Sequence, residues 1–369
     1  MSDDASFMRL ALALGRRGLG TTWPNPSVGA VVVEPGTGRI LGTGATAPGG
    51  RPHGEPLALA QAGAAARGAT LYVTLEPCSH HGRTPPCTDA ILAAGIARVV
   101  SAVEDPDSRV AGRGHALLRQ GGVAVETGLL REAATRDHIG HITRVTRGRP
   151  AVHLKLARTR DGFCAGAGPE RLRITGPVAD GAVHLWRAHA DAILIGIGTA
   201  RADDPSLTVR LPGLGARSPL RIVLDSQLML SPASVLARTA RDTATLVLTT
   251  RSAPAHARRA LEALGVEIAI LPADVAGRVE LPNALAHLGE RGLTRLCTEG
   301  GPRLADALAR ADLIEACTLV TGPAELGAAG GLKALGPDLT DALAEPKKFR
   351  VAEQLQLGPD AAATYERVF

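Results

Sequence analysis

The chain has 369 residues, which is too long for one ordinary hydrophobic core, so we expect two domains. Its 41 Lys and Arg against 36 Asp and Glu give a net charge of +5, and only 2% of the residues are aromatic. This composition disfavours nucleic-acid binding, which uses aromatic stacking and basic stripes, and suits small anionic substrates. We expect no membrane span, because no stretch approaches ~18 uncharged apolar residues. Five unevenly spaced cysteines are typical of reduced thiols and predict a cytoplasmic location.

In the first half of the chain, helical and β-branched segments alternate. Helical spacing covers 5–17, 55–66, 87–95 and 112–120, and β-branched runs bounded by Gly or Pro cover 27–34, 69–76 and 97–104. This alternation predicts an α/β sandwich around one sheet.

The segment RVTRGRP, residues 144–150, is basic and punctuated by Gly and Pro, and the strand-helix pattern restarts after it. We therefore predict domains over 1–147 and 148–369. The second contains predicted strands 151–157, 191–198, 220–225, 243–250 and 295–299, with predicted helices 177–189, 254–264 and 302–310. Such repeated alternation predicts a mostly parallel sheet of the nucleotide-binding type.

A metal constellation is predicted in the first domain. His53 and Glu55 stand two apart where a helix is expected to begin, and Cys78 and Cys87 each follow a proline. Zn²⁺ prefers imidazole and thiolate ligands, and one His with two Cys leaves a fourth position for water. A carboxylate that is not a ligand, here Glu55, can then move the proton of that water. His-x-Glu with Pro-Cys-x-x-Cys is the zinc-deaminase signature, although here eight residues separate the cysteines.

The stretches EPCSHHGRTPPC, TTWPNPSVGAVVV and VAGRG resemble the deaminase half of the bifunctional riboflavin-biosynthesis deaminase/reductase family. The resemblance implies a cytidine-deaminase-like three-layer domain in which His53, Cys78 and Cys87 bind zinc. It also implies that Glu55 is the proton shuttle and that Asn25 belongs to the substrate pocket.

Three departures affect this half of the resemblance. The family usually has Ala where Gly54 stands, commonly has His near Thr46, and often has Asn where Asp107 stands. None of them removes a predicted ligand or Glu55, so they bear on substrate contacts more than on the chemistry.

In the second half, the segments LKLARTRDG, ITG, GIGTARADDPSLTVR, LDS and TEGGPRLADAL lie at predicted strand ends, which face the ligand crevice of an open α/β sheet. Gly300 and Gly301 precede a predicted helix whose free N–H groups can receive phosphate. Together these segments resemble the reductase half of the same family, which is similar in fold to dihydrofolate reductase. The resemblance implies NADPH as the second cofactor.

The resemblance also implies roles for individual residues of the second half. Lys155 would approach the reacting sugar. The expected NADPH contacts are Arg158, Arg173, Thr175, Thr199, Asp203, Ser226, Gly301, Pro302 and Arg303. The expected contacts of the phosphoribosyl substrate are Arg171, Arg187, Leu207, Arg210 and Glu299. Arg171-Leu172-Arg173 replaces a Ser-x-Trp usual in the family, and its two cations could hold a phosphate instead.

We therefore expect a bifunctional enzyme that removes the 2-amino group of a phosphorylated diaminopyrimidine at a zinc site and then reduces the ribosyl unit with NADPH. One alternative is a zinc nucleobase deaminase acting on RNA with a C-terminal binding module. A second is a non-enzymatic zinc domain fused to a nucleotide sensor, whose closed site would take His80 or His81 as a fourth ligand. Neither nucleic acid nor membrane is expected as a partner, and the sequence leaves open whether the chain forms a homo-oligomer.

Overall fold

The computed structural model describes residues 4–82, 84–108, 110–168, 172–327 and 331–368. The chain divides into two compact units, the first formed by Met1–Pro150 with Gly289–Thr294 and the second by Ala151–Leu288 with Arg295–Phe369. Both units are α/β, which confirms the predicted fold class. The limits 1–147 and 148–369 remain predictions. Within the described ranges, no helix combines the length and apolar character needed to cross a bilayer.

The first unit is built on a five-stranded sheet of order β2-β1-β3-β4-β5. Its strands are β1 (Gly29–Val33), β2 (Ile40–Ala45), β3 (Thr70–Val73), β4 (Arg98–Ser101) and β5 (Ala124–Thr127). Its helices are α1 (Asp4–Arg16), α2 (Gly54–Ala62), α3 (Cys87–Ala93), α4 (Arg113–Gln120) and α5 (Arg131–Arg147). β1 is antiparallel to β2 and β3, and β3, β4 and β5 are parallel.

Helices pack closely on both faces of this sheet because small residues line the contacts. A Cβ added at Gly29 on β1 would lie 1.8 Å from the carbonyl oxygen of Ala11 on α1. On β2, a Cβ at Gly42 would lie 2.1 Å from the carbonyl oxygen of Ala58 on α2. Gly42 pairs with Val32, so its side faces away from that of Gly29. The unit thus has three layers, and α2 is held tightly against the sheet.

The chain after Pro150 contains a nine-stranded sheet and a separate two-stranded one. The strands are β6 (Ala151–Arg158), β7 (Phe163–Gly166), β8 (Ala192–Gly196), β9 (Leu220–Leu224), β10 (Thr245–Thr249), β11 (Glu267–Ile270), β12 (Arg295–Thr298), β13 (Ala316–Thr321), β14 (Gly331–Lys333), β15 (Phe349–Leu357) and β16 (Asp360–Arg367). The helices are α6 (Pro177–Ala188), α7 (Ile197–Asp203), α8 (Val235–Arg238), α9 (Ala255–Glu262), α10 (Leu281–Glu290), α11 (Pro302–Arg310) and α12 (Pro337–Ala344).

The order of the large sheet is β11-β10-β9-β8-β12-β6-β13-β16-β15, and its strands from β11 to β13 are parallel. The chain leaves β8 toward β9 but leaves β12 toward β13, on the opposite side. A reversal of this kind opens a crevice at the carboxyl ends of the two strands, where ligands bind in open α/β sheets. The mostly parallel sheet expected from the sequence is therefore present, with an antiparallel pair, β16 and β15, added at one edge.

Candidate active sites

In the first unit, the turn that precedes α2 carries two predicted active-site residues. His53 is the extended residue immediately before the helix, and Glu55 lies in its first turn. Glu55 is only 3% exposed, and its Oε2 has no hydrogen-bonding partner among the described residues. Burial disfavours the charged carboxylate and raises the pKa of Glu55. A carboxyl group with a raised pKa is suited to take up and return a proton near neutral pH.

The two cysteines come from the segment that connects β3 to α3. Cys78 lies in the loop, and Cys87 is the first residue of α3. The backbone N–H of Cys87 donates to the Sγ of Cys78 at 3.3 Å, and that of Thr88 donates to the Cys78 carbonyl at 3.2 Å. The loop is therefore fixed to the start of α3, and both thiols face the turn before α2.

His53, Cys78 and Cys87 form a compact set of donor atoms, all within 4.8 Å of one another. The Nδ1 of His53 lies 3.3 Å from the Sγ of Cys87 and 3.7 Å from the Sγ of Cys78. With metal–nitrogen and metal–sulfur bonds of about 2.1 and about 2.3 Å, tetrahedral geometry puts a ligating nitrogen about 3.6 Å from a ligating sulfur. The three residues therefore fit a zinc ion bound through Nδ1 and two thiolates.

The thiols already differ in proton affinity. The hydrogen bond with the Cys87 thiol, assisted by His53, lowers the pKa of Cys78 to about 4. The same contact and burial raise the pKa of Cys87, so the pair retains one proton between the two sulfurs. A divalent cation would displace that proton, since it binds thiolates. Neither His80 nor His81 belongs to the donor set, so within the described residues no histidine closes the site.

In the second unit, the predicted substrate residues Arg187 and Glu299 bind each other. The Nε and Nη2 of Arg187 lie 2.6 and 2.8 Å from the two carboxylate oxygens of Glu299, and its Nη1 donates to the Thr208 carbonyl. Burial alone would raise the pKa of Glu299, but the guanidinium outweighs it and the pKa is lowered. Lys155 and Cys297 are close enough to interact electrostatically with the Glu299 carboxylate. The result is a largely buried charged cluster that joins the end of β12 to the middle of β6.

Two other predicted substrate residues lie in the segment after α7. Arg210 donates from Nη1 to the Oγ of Ser206 at 2.6 Å and remains exposed. Leu207 has a left-handed backbone, with φ of 54°, and its side chain is 3% exposed within the hydrophobic core. Any contact between Leu207 and a substrate must therefore use its backbone. Arg171 lies outside the described residues.

The predicted cofactor residues follow the crevice between β8 and β12. The backbone N–H of Gly301 donates to the Oγ1 of Thr199 at 3.1 Å, which joins the segments that follow the two strands. After β9, the Oγ of Ser226 accepts a hydrogen bond from the Val279 N–H at 2.9 Å. Pro302 begins α11, Arg303 follows it, and Asp203 ends α7 in an exposed position.

The remaining predicted cofactor residues, Arg158, Arg173 and Thr175, contact other side chains of the second unit. The Oγ1 of Thr175 donates to Asp180 at 3.0 Å, and Arg173 lies 3.7 Å from the same carboxylate. Arg158, at the end of β6, donates to the Oγ1 of Thr321. These three side chains are thus engaged with protein partners.

Comparison with known proteins assigns both halves. The chain is 40% identical to riboflavin biosynthesis protein RibD from Escherichia coli, covering 97% of this chain and 98% of that protein. The family model for the RibD C-terminal domain matches residues 150–363, and that for the cytidine and deoxycytidylate deaminase zinc-binding region matches residues 1–103.

The chain belongs to the RibD family. RibD from Acinetobacter baumannii superposes with a TM-score of 0.85 at 32% identity, covering 99% of both chains. A deaminase/reductase from Thermotoga maritima, named diaminohydroxyphosphoribosylaminopyrimidine deaminase/5-amino-6-(5-phosphoribosylamino)uracil reductase, gives a TM-score of 0.82 at 33% identity. The chain is therefore a bifunctional deaminase and reductase of riboflavin biosynthesis, with Zn²⁺ and NADPH as cofactors.

Two of the departures from the family pattern have local structural reasons. A Cβ at Gly54 would lie 2.7 Å from the carbonyl oxygen of Val28, so the alanine usual in the family would need the backbone to shift. Thr46 is buried, and its Oγ1 accepts a hydrogen bond from the Val28 N–H. Asn25, a predicted pocket residue, donates from Nδ2 to the Gly50 carbonyl at 2.9 Å. Asn25 thereby holds the turn that leads to His53.

Sequence reasoning missed one residue that organises the first site. Glu76 is 3% exposed, and its carboxylate accepts backbone hydrogen bonds from Asp105, Gly112 and His115 at 3.0–3.2 Å. It stands two residues before Cys78, so it fixes the segment after β4 beside the cysteine loop. The only available signal was a carboxylate directly before Pro-Cys, which by itself indicates nothing about its distant partners.

Proposed function

We propose that this chain first deaminates 2,5-diamino-6-ribosylamino-4(3H)-pyrimidinone 5′-phosphate and then reduces the ribosyl group of the product to ribityl. The main support is the set of His53, Cys78 and Cys87, whose spacing fits zinc, beside the buried carboxyl group of Glu55. The name of the Thermotoga maritima protein, which this chain resembles over 99% of its length, supports the choice of substrates.

In the deamination, His53, Cys78 and Cys87 would hold the metal. Zinc supplies Lewis acidity toward the attacking water. Glu55 takes one proton from that water as its oxygen adds to C2, and returns it to the 2-amino group, which leaves as ammonia. Burial raises the pKa of Glu55, which makes its carboxylate a stronger base toward the attacking water. The carboxyl group then keeps the proton until the amine accepts it.

In the reduction, NADPH supplies the hydride, which goes to C1′ of the opened sugar. Lys155 would lie beside this carbon, and the Arg187–Glu299 pair would hold the substrate with Leu207 through its backbone. Arg210 and Arg171 would bind the substrate phosphate, since guanidinium groups match phosphate geometry. The predicted contacts with NADPH are Arg158, Arg173, Thr175, Thr199, Asp203, Ser226, Gly301, Pro302 and Arg303.

We further propose that the partners are phosphorylated pyrimidines and not nucleic acids, in keeping with the low aromatic content. A cytoplasmic location agrees with five free thiols. Homo-oligomerisation stays a prediction. The RNA-editing alternative has no specific support, given an aromatic content of 2%. Nor has the structural zinc domain, since the donor set found among the described residues contains neither His80 nor His81.

A coupled assay with the diaminopyrimidine phosphate tests this function. Ammonia should be released without NADPH, and NADPH should be oxidised only when the deaminated product is present or has been formed. Supplying the deaminated compound directly should remove the lag before NADPH oxidation. Ammonia release that requires NADPH, or no turnover of either compound, would contradict the proposal.

A further inference from the structure

A cavity lies at the carboxyl ends of β10 and β11, outside the set of residues predicted to bind ligands. Its volume is about 480 Å³, and its lining includes Thr250, Arg251, Ser252, Ile270, Leu271 and Pro272. The first three directly follow β10, and the others end or follow β11. The cavity therefore opens on the same edge of the sheet as the crevice between β8 and β12.

The cavity continues the line of predicted NADPH contacts. From β12 the neighbouring parallel strands are β8, β9, β10 and β11, and their carboxyl ends share one edge. Predicted contacts stand after β12, β8 and β9, namely Gly301, Thr199 and Ser226. Three strand spacings separate β12 from β10, a distance of roughly 14 Å. That span is on the order of the reach of an extended dinucleotide from one base to the other.

Hydrogen bonds join this cavity directly to the predicted cofactor residue Ser226. The Oγ1 of Thr250 donates to the Ser226 carbonyl at 2.9 Å and lies 2.7 Å from the Oγ of Ser252. The neighbouring Gln227 donates from Nε2 to the same Ser252 hydroxyl at 3.1 Å. The segments after β9 and β10 are therefore held together, so a ligand extending from one reaches the other.

The lining has the chemistry of a nucleoside phosphate site. Arg251 is exposed and lines the cavity. Ile270 is 44% exposed and stands with Leu271 and Pro272 on the other side of the cavity. A guanidinium opposite an apolar wall can receive a phosphate on one side and a planar base on the other.

We propose that this cavity binds the adenosine 2′-phosphate end of NADPH, that Arg251 contacts the 2′-phosphate, and that this contact selects NADPH over NADH. The inference rests on the reductase function proposed above and adds a specificity-determining residue to it. Ser252, whose hydroxyl is fixed by Thr250 and Gln227, borders the same space.

The test compares Arg251→Gln with Arg259→Gln in the full-length chain. Arg259 is an exposed residue of α9 that does not line the cavity, so its variant loses the same charge nearby. In Arg251→Gln, kcat/KM for NADPH should fall about 10- to 100-fold, as expected for losing a hydrogen bond to a charged group. The value for NADH should change less than ~2-fold, since NADH lacks that phosphate. Arg251→Lys should recover part of the preference, and Arg259→Gln should keep all of it.

Binding of cofactor fragments gives a readout besides turnover. The wild-type chain should bind adenosine 2′,5′-bisphosphate more tightly than adenosine 5′-monophosphate, and Arg251→Gln should bind the two alike. An unchanged NADPH-to-NADH ratio in Arg251→Gln, or a wild-type chain that uses both cofactors equally, would overturn the inference and leave the reductase function standing. A wild-type chain that reduces the deaminated substrate with neither cofactor would instead overturn the proposed function.

Discussion

The two candidate sites are assembled in opposite ways. In the first unit, three donor atoms from two short segments converge within 4.8 Å, and the buried Glu55 has an unpartnered carboxylate oxygen among the described residues. In the second unit, the candidate residues are spread over the ends of several strands and mostly bind one another, as Arg187 binds Glu299 and Thr199 binds Gly301.

This difference has a physical origin. A metal site needs a few side chains at bond-length separation, so their order and spacing leave a compact pattern in the sequence. A dinucleotide is long, and much of its binding uses backbone groups and strand ends, which many residue types can supply. We therefore expect substitutions in the first site to abolish one chemistry, and substitutions in the second to act also through the stability of the unit.

The largest effect is expected for Cys87→Ser. Removing one of three ligands should reduce zinc content from about one per chain to near zero and ammonia release to background. Elemental analysis of the purified protein measures the first quantity, and the ammonia assay measures the second. The matched control is Cys317→Ser, which also alters a buried cysteine but lies on β13. Zinc retained in Cys87→Ser would remove Cys87 from the site.

Glu55→Gln is expected to separate the two chemistries. The variant keeps side-chain size and the three donor residues but removes the base, so deamination should fall by ~10²- to 10⁴-fold. Zinc content and reduction of the supplied deaminated compound should persist, because the reductase residues lie in the second unit. Loss of that reduction in a folded, zinc-containing Glu55→Gln protein would favour one shared site.

Arg187→Met should destabilise the second unit as well as slow reduction. It leaves the Glu299 carboxylate buried without its partner, which should lower the free energy of unfolding by about 3–5 kcal/mol. Arg310→Met is the control: it removes an exposed arginine paired with Asp338, and we expect a loss of at most ~1 kcal/mol. Urea-induced unfolding of the wild type and of each variant measures both changes in the free energy of unfolding.

The pH dependence of the Arg187 variant provides a sharper test. In the wild type, the pKa of Glu299 is below its usual 4.5, so the pair contributes stability above that pH and loses it as the pH falls through the lower folded value. In Arg187→Met, burial is the largest remaining influence on Glu299, opposed by the weaker attraction of Lys155 and His184, and should raise its pKa above 4.5. The destabilisation should therefore shrink from pH 7 to pH 5, and a constant difference would show that Glu299 is not the cause.

Much of the fold follows from local patterns, and the failures have identifiable causes. The predicted helix 302–310 coincides with α11, because Gly301 and Pro302 mark its start. Strand 191–198 was predicted too long, since β8 ends at Gly196 and α7 begins at Ile197. β2 and β5 were not predicted, because one is rich in glycine and the other is four residues long and mostly exposed.

The sequence indicated the residues of the first site more directly than those of the second. The spacing of His53, Glu55 and the two cysteines indicated a site directly. By contrast, the pairing of Arg187 with Glu299 joins residues 112 positions apart and leaves no local pattern. The cavity beside Arg251 was also missed, because a single arginine after a strand is usually a surface charge, and only the shared edge of the sheet relates it to Ser226.

The smallest expected effect concerns His153, a histidine of β6 in the second unit. Its Nε2 lies 2.7 Å from the Oγ1 of Thr318, which lies 2.9 Å from the Oγ1 of Thr364. Burial, and to a lesser degree the nearby Arg295, lower its pKa to about 4. The folded protein therefore holds this imidazole neutral at a pH where an unfolded chain would protonate it.

The sign of the resulting pH dependence follows from that depressed pKa. The contribution of neutral His153 is fully present above the usual 6.5 and is lost as the pH falls from there toward about 4. Because His153 takes up only one proton, the added slope should stay below ~1.4 kcal/mol per pH unit. Urea unfolding between pH 7 and pH 4.5 should show this slope in the wild type and in His256→Gln, whose histidine is exposed on α9, but not in His153→Gln. Equal slopes in all three proteins would mean that burial does not lower the pKa of His153. The contrast between Glu55 in the first unit, whose carboxyl group exchanges a proton during catalysis, and His153 in the second, whose imidazole stays neutral near pH 7, would then be lost.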